Sequence, residues 1–212
     1  AFFITNLLGF CGELGRIAEI CKNKKIILLE DNCESLGSAI NNKKLGNFGI
    51  ASTFSFYVGH HMSTIEGGMV CTDDKELYDM LLMVRSHGWD RNLTPSKKES
   101  LKKKHNINDF YSRYTFYFPA YNLRPTEISG FLGLEGMQYI DTINNIRNHN
   151  FVLFNKAAKS NPYLHALNLS HMDFVSNFAY PLICKDRKAF QIYKEKFESN
   201  NVEIRPIVGG SI

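Results

Sequence analysis

Short apolar runs alternate with amphipathic stretches from the first residues of the chain. Phe2 to Thr5 is an apolar run that predicts a strand, and Asn6 to Gly12 is a glycine-punctuated loop. From Glu13 to Lys22 the apolar residues Leu14, Ile17, Ala18 and Cys21 fall at helical spacing. Lys22 to Lys25 close that helix with positive charge, where the negative end of the helix dipole favours it. Ile26 to Leu29 is apolar without alternation, the pattern of a parallel strand covered on both faces. Strand, helix, strand is the unit of a parallel α/β sheet.

The pattern then continues in short pieces. Asn41 to Gly49 reads as a polar turn, Ser52 to Phe56 as a strand and Gly68 to Thr72 as another. Asp73 or Asp74 can cap a helix whose face is Leu77, Met80, Leu81 and Val84, a stripe expected to pack in the core. Ser86 to Phe118 is long and irregular, as functional lids and disordered excursions are. Its lysines at 97, 98 and 102–104 read as a solvated face, with a place near a substrate diphosphate as the alternative. The aromatics between Tyr111 and Tyr121 read as core or interface. A helical pattern runs from Thr126 to about Lys159, with a break expected at Gly133 or Gly136, and Asn161-Pro162 stops it. Phe174 to Ile183 predicts a strand, Arg187 to Glu198 a helix and Val202 to Ile204 a strand. This divides the chain into a mostly parallel α/β large domain over residues 1–145, lacking its N-terminal part, and a truncated small α+β domain over 146–212.

Composition adds limits rather than direction. The 212 residues are 44% hydrophobic and 22% charged, enough apolar material for a globular core. A formal net charge of +4 is mild and spread along the chain, so it suits an anionic small molecule and gives no sign of nucleic-acid binding. The cysteines at 11, 21, 33, 71 and 184 form no CxxC pair, which predicts reduced thiols in a cytoplasmic protein and no metal site. No apolar run approaches the ~18 residues of a membrane span. The chain has no initiator Met, and Gly209-Gly210-Ser211-Ile212 is not a natural stop, so a fragment cut at both ends is expected.

Chemistry concentrates between Ile26 and Thr72. Apolar runs there end in Glu30-Asp31 and in Ser55, followed by His60-His61 and Glu66-Gly67-Gly68. Reactive groups on strand ends are where an α/β enzyme keeps its site. Asp31 can cap the element after it, or hold a cationic ring nitrogen; Glu30 points to the other face of the strand. Ser55 can be a turn serine or a phosphate ligand. His60 can be structural, or a general acid–base group near neutral pH. Only as a set do these residues favour chemistry.

That set, in order, carries a resemblance. Asp31-Asn32-Cys33-Glu34, Gly46-Asn47-Phe48-Gly49, Phe54-Ser55-Phe56 and Ser63-Thr64-Ile65-Glu66-Gly67-Gly68 resemble the DegT/DnrJ/StrS sugar aminotransferases, enzymes of PLP (pyridoxal phosphate) fold-type I. The likeness continues through Arg85-Ser86-His87-Gly88, Tyr121-Asn122-Leu123-Arg124 and Arg205-Pro206-Ile207. The family's cofactor-linked lysine stands five residues after the motif serine; here that position is His60, and no lysine lies between Lys44 and Lys75. Imidazole cannot make the persistent covalent link of a transaminase lysine. Within the family, this exchange is similar to that of the nucleotide-sugar 3-dehydratases. A relative acting on CDP-sugars has cluster-binding cysteines just after the segment equivalent to Ser86-His87-Gly88-Trp89; Asp90-Arg91-Asn92-Leu93 stands there in this chain, so no iron–sulfur cluster is expected.

The resemblance implies a role for each matched residue. Asp31 would pair with the pyridine nitrogen of PLP or its pyridoxamine form PMP, Glu34 would sit beside the ring, and Ser55 would bind the cofactor phosphate. Asn122 would reach that phosphate from the other subunit of a homodimer. His60 would be the base that takes a proton from the cofactor methylene carbon while the C3 hydroxyl of a nucleotide-linked 4-keto-6-deoxyhexose, a GDP-sugar by preference, departs. L-Glutamate would be the amino donor, and His87 and Arg205 would lie near the sugar or its diphosphate. Gly210-Ser211 stands where the dehydratases tend to have Gly-Asn. The family's ring-stacking aromatic and part of its phosphate site belong to an N-terminal segment absent from this sequence. The alternatives are a sugar 4-aminotransferase built around another base, and a non-catalytic regulatory or interaction homologue.

Overall fold

In the computed structural model, which describes residues 1–207, four strands form the sheet that carries the site, in the order β1-β2-β5-β6. Strands β1 (Phe2–Thr5), β2 (Leu28–Asp31) and β5 (Ala51–Ser55) are mutually parallel, and β6 (Gly68–Cys71) pairs antiparallel with β5. The parallel α/β architecture is the one the pattern predicts, closed at one edge by an antiparallel strand. Helix α1 (Leu14–Asn23) makes the crossover from β1 to β2. It buries Leu14 and Cys21, and the cluster of Cys11, Leu14, Ile40 and Leu45 packs with Ile4, Phe48 and Met172 beside it. A small hairpin of β3 (Ala39–Ile40) and β4 (Lys43–Lys44) occupies the predicted polar turn.

Strand β2 starts two residues later than its apolar run. Ile26 N donates to Cys21 O (2.8 Å) and the chain leaves α1 through Lys25 in the left-handed region (φ 54). Ile26 and Ile27 are therefore spent on the helix exit and are exposed. The strand instead ends in the two acids Glu30 and Asp31.

Helix α2 (Lys75–Val84) is capped by Asp74, whose side chain accepts from Leu77 N (2.8 Å). Its buried stripe is rotated from the predicted one. Met83 and Asp79 face inward, with Lys75 bonded to Asp79, while Met80 is exposed. The stretch predicted as long and irregular contains two helices, α3 (Pro95–Lys104) and α4 (Asp109–Ser112). Apolar periodicity does not mark α3, because Leu101 is its single apolar side chain after Pro95. Thr94 and Pro95 start it, and lysines at its C-terminus favour the dipole. Lys102 bonds both Glu99 (3.0 Å) and Asp109 (2.5 Å), Lys98 donates to Arg91 O (2.7 Å) and Lys103 pairs with Glu99, so three members of the basic run are engaged within the chain.

Thr126 caps α5 (Glu127–Met137) by accepting from Ser129 N, as its position predicts. The break before α6 (Ile140–Lys159) falls at Gln138–Tyr139, not at a glycine. Gly136 serves close approach instead. A Cβ there would lie 3.0 Å from Met62 Cγ, so the helix rests directly on the loop carrying His60 and His61. Ile128, Phe131, Leu134 and Met137 of α5 and the aromatics Tyr111, Tyr114, Phe116 and Tyr121 are exposed on this chain. They are not its core.

Strands β7 (Leu164–His165) and β8 (Ile183–Cys184) form an antiparallel pair beside α7 (Arg187–Ser199). The ten-residue strand predicted over 174–183 is absent. Phe174 bridges to Ala39 at one end and Ile183 enters β8 at the other, while Pro181, which has no N–H to donate, interrupts the later part of the run. The strand predicted at 202–204 is also absent: that segment is exposed and finds no partner strand among the described residues. Val208 to Ile212, including the Gly210-Ser211 departure, lie outside the described residues. No helix among the described residues is long and apolar enough to cross a membrane.

Candidate active site

Parallel pairing of β2 with β5 puts Asp31 opposite Thr53, so Asp31 and Ser55 open at the same edge of the sheet. That edge is the carboxyl end of the parallel strands, where α/β proteins place their ligands. Asp31 is half-buried, and its Oδ1 accepts from Cys33 N (3.1 Å) and Thr53 Oγ1 (3.2 Å). No helix comes directly after it, so of the two roles open to Asp31 the capping one reduces to a local turn.

Glu30 belongs to the opposite face, as strand alternation requires. It is fully buried, with Oε1 accepting from Phe48 N (2.6 Å) and Gly49 N (2.8 Å), and Oε2 from Gly46 N (2.8 Å). No cation is needed, because three backbone N–H dipoles stabilise the carboxylate. Glu30 thus pins the loop that feeds β5.

Ser55 ends β5 opposite Gly68, and its Oγ accepts from Tyr57 N (3.3 Å). The chain then turns, His60 N bonding to Tyr57 O (3.0 Å). His60 Nδ1 lies 2.5 Å from Cys33 O. A carbonyl can only accept, so Nδ1 carries the proton and the neutral ring leaves Nε2 as its basic nitrogen. Glu34 Oε2 accepts from Leu8 N (2.7 Å), within a turn whose Leu8 is left-handed (φ 55). Burial first, and then Asp31, pushes the Cys33 thiol up to about 12. It stays protonated at neutral pH and is no nucleophile. The five cysteines are all free, Cys11 and Cys21 buried and the other three half-buried.

His61, next in sequence, has a different fate. It is buried, and Nε2 bonds to Ser176 O (2.8 Å) while Nδ1 has no partner. Burial first, then the Arg147 charge, lowers its pKa from 6.5 to about 4. A proton would have to settle on the unpartnered Nδ1. Above pH 6.5 His61 is neutral in both the folded and unfolded chain and its contribution to stability is full. As the pH falls from there towards 4, only the unfolded chain gains the proton, and stability is lost by about 3 kcal/mol. His61→Gln should flatten this part of the profile in urea titrations between pH 7 and 4.5. Parallel profiles for the two proteins would remove His61 as the cause.

Arg205 reaches the site through an aromatic ring that the sequence pattern does not single out. Its guanidinium lies 4.9 Å from the Phe178 ring centroid, and the same ring lies 5.1 Å from the His60 imidazole. The structure therefore gathers Asp31, Glu34, Ser55, His60 and Arg205 around one sheet edge. His87 and Asn122 form a second group. Ser86 bridges Asn122, His87 N donates to Tyr121 O (2.7 Å), and the His87 ring meets the edge of Phe116. Asn122 is exposed, its Oδ1 accepting from Arg124 Nε (3.3 Å). No hydrogen bond or ring contact joins this group to His60 among the described residues. Nor does any group of three or more His, Cys, Asp or Glu side chains there stand ready to hold a metal ion.

The model of the DegT/DnrJ/EryC1/StrS aminotransferase family matches residues 1–208. The chain belongs to this family. A GDP-4-keto-6-deoxy-D-mannose 3-dehydratase of Yersinia pseudotuberculosis is 37% identical over 214 residues, covering 100% of this chain and 53% of that protein. A mutant of GDP-4-keto-6-deoxymannose-3-dehydratase solved with bound GDP-perosamine superposes with a TM-score of 0.85 at 36% identity, covering 98% of this chain and 53% of that one. The same enzyme with a trapped PLP–glutamate geminal diamine gives the same TM-score, identity and coverage. The chain thus spans about half the length of the relatives it matches. Its sheet is part of the PLP fold-type I architecture of those family members.

Proposed function

We propose that the protein of which this chain forms part is a PLP/PMP-dependent nucleotide-sugar 3-dehydratase acting on a GDP-linked 4-keto-6-deoxyhexose. The observation that carries this reading is His60. An imidazole with a free Nε2 stands at the edge shared by Asp31 and Ser55, and no lysine lies within the surrounding segment from Lys44 to Lys75. Two structures of one relative support the substrate class and the amino donor: a mutant of it binds GDP-perosamine, and another structure holds a trapped PLP–glutamate adduct.

The residues present fit the cofactor. Asp31, half-buried and fixed by Cys33 N and Thr53 Oγ1, is placed as a strand-end carboxylate for a pyridine nitrogen. Ser55 offers a hydroxyl at the neighbouring strand end for a phosphate oxygen, with Asn122 proposed to reach the same phosphate from a second subunit. When bound, the pyridoxamine form supplies an amine for the C4 ketone and a ring able to accept electrons. His60 Nε2 takes the proton, while the Cys33 carbonyl keeps Nδ1 protonated and the ring oriented. Glu34, held on Leu8 N, borders the ring site, and His87 and Arg205 are assigned to the sugar or its diphosphate. The balance closes with glutamate oxidised to 2-oxoglutarate and ammonia as the sugar exchanges its C3 hydroxyl for hydrogen.

The exposed apolar face of α5 and the aromatics of 110–121 support a homodimer, which Asn122 requires for this role. We further propose a cytoplasmic protein, with residues 1–145 in the cofactor domain and 146–212 in a smaller one, α6 crossing between them. An ammonia assay tests the reaction class: one ammonia per glutamate consumed is expected, and nitrogen retained in the sugar would contradict it. Asp31→Asn should slow turnover on the order of a hundredfold and weaken cofactor retention. Unchanged rate and retention would remove Asp31 from the ring nitrogen.

A further inference from the structure

Residues 176–178 are held by hydrogen bonds from several separate parts of the chain. Ser176 N donates to Ser38 Oγ (3.0 Å), its Oγ donates to Asn144 Oδ1 (2.9 Å), and its carbonyl accepts from His61. Ser38, Ser176, Asn144 and His61 are all buried, so moving the segment would leave several polar groups unsatisfied in the interior. Arg147 Nη1 donates to Asn177 O (2.9 Å), and Phe178 N donates to Leu8 O (2.9 Å). Gly9 lets the two backbones meet: it sits at φ +94, and a Cβ there would lie 2.5 Å from Asn177 Cα. Phe178 thus projects from a rigid support.

Its ring touches two of the residues assigned to the chemistry. The His60 imidazole is tilted 38° to it at 5.1 Å, and the Arg205 guanidinium lies over it at 4.9 Å. One hydrogen bond, from Nδ1 to Cys33 O, locates the imidazole but leaves it free to rock about that bond. The Phe178 ring, at the closer of two aromatic contacts (Tyr57 meets the imidazole edge-on at 6.3 Å), sets its plane and so the direction of Nε2. Arg205 lies in the exposed segment after α7, outside any helix or strand, and the aromatic face gives its cation an attractive seat.

We propose that Phe178 is the positioning residue of this site, fixing the plane of the His60 ring and seating Arg205 beside it. The proposal rests on His60 being the base. It makes Phe178 part of the acid–base apparatus without contact to the proton, since misdirecting Nε2 by a fraction of an ångström weakens proton transfer.

The test is Phe178→Leu in the full-length protein, which keeps apolar volume and loses the aromatic face. Nitrogen-15 spectra of labelled histidine, recorded without substrate, should show wild-type His60 as a single Nδ1-protonated tautomer. Phe178→Leu should keep that tautomer, since Cys33 O still holds Nδ1, but carbon-13 relaxation of the imidazole should show a mobile ring where the wild type is rigid, with kcat lowered on the order of tenfold to a hundredfold. Phe178→Tyr should restore both. A His60 ring as rigid in Phe178→Leu as in the wild type, or equal damage from Phe178→Tyr, would overturn the proposal. If Phe178→Leu does not fold, the wild-type protein still decides: nuclear Overhauser contacts between the Phe178 ring and His60 are expected, and their absence overturns it. A 4-amino-sugar product would instead defeat the dehydratase reading and leave the ring-mobility result standing.

Discussion

His60→Asn in the full-length protein should keep cofactor binding and lose C3 deoxygenation. Asparagine is close to histidine in reach, and its amide N–H can still donate to Cys33 O, so the loop should keep its course. What it lacks is a nitrogen able to accept a proton near neutral pH. General-base catalysis contributes on the order of 10²–10⁴ in rate, and the imidazole next in sequence cannot replace it. His61 is buried and bonded to Ser176, and its pKa is lowered to about 4. The Cys33 thiol is pushed up to about 12. Turnover should fall by about a thousandfold or more, while the cofactor's absorbance after gel filtration is unchanged. Dehydration surviving in this variant would assign the proton to another group.

A second large effect is expected at Glu30, where the cost is to stability. Its carboxylate collects the N–H groups of Gly46, Phe48 and Gly49 in the interior. Glu30→Ala leaves all three unsatisfied, at ~1–3 kcal/mol each before relaxation, so a loss of about 4 kcal/mol is expected. Glu30→Gln keeps the shape but offers one acceptor oxygen, and its NH2 must face a backbone donor; about 2 kcal/mol is expected. Urea unfolding checks both values. Because Glu30 faces away from Asp31, the glutamine variant should retain cofactor affinity. Loss of affinity with full stability would instead place Glu30 in the binding site.

The parallel sheet and its site-bearing edge were legible in the sequence because they depend on local patterning. Ile26–Leu29 and Ser52–Phe56 marked β2 and β5 to within two residues, and the polar residues ending them mark the site. The opposite directions of Glu30 and Asp31 come from strand alternation alone. Helix α3 was hidden because capping and charge, not an apolar stripe, define it. The apolar run 174–183 was misleading for the reverse reason. Its residues are fixed by side chains of Ser38, His61 and Arg147 from distant parts of the chain, which leave no ladder for a strand. Phe178 belongs to that run, and its meeting with His60, 118 residues earlier in the chain, is a tertiary event that spacing cannot show. The resemblance to the family named the residues; the structure adds how Cys33 and Leu8 orient them.

Mass spectrometry of the product made by the full-length protein from glutamate, PLP and a GDP-linked 4-keto-6-deoxyhexose tests the central claim most directly. A sugar that has lost its C3 oxygen and carries no nitrogen is the result expected. A 4-amino sugar that keeps its C3 hydroxyl would contradict the account and make the protein a transaminase despite His60.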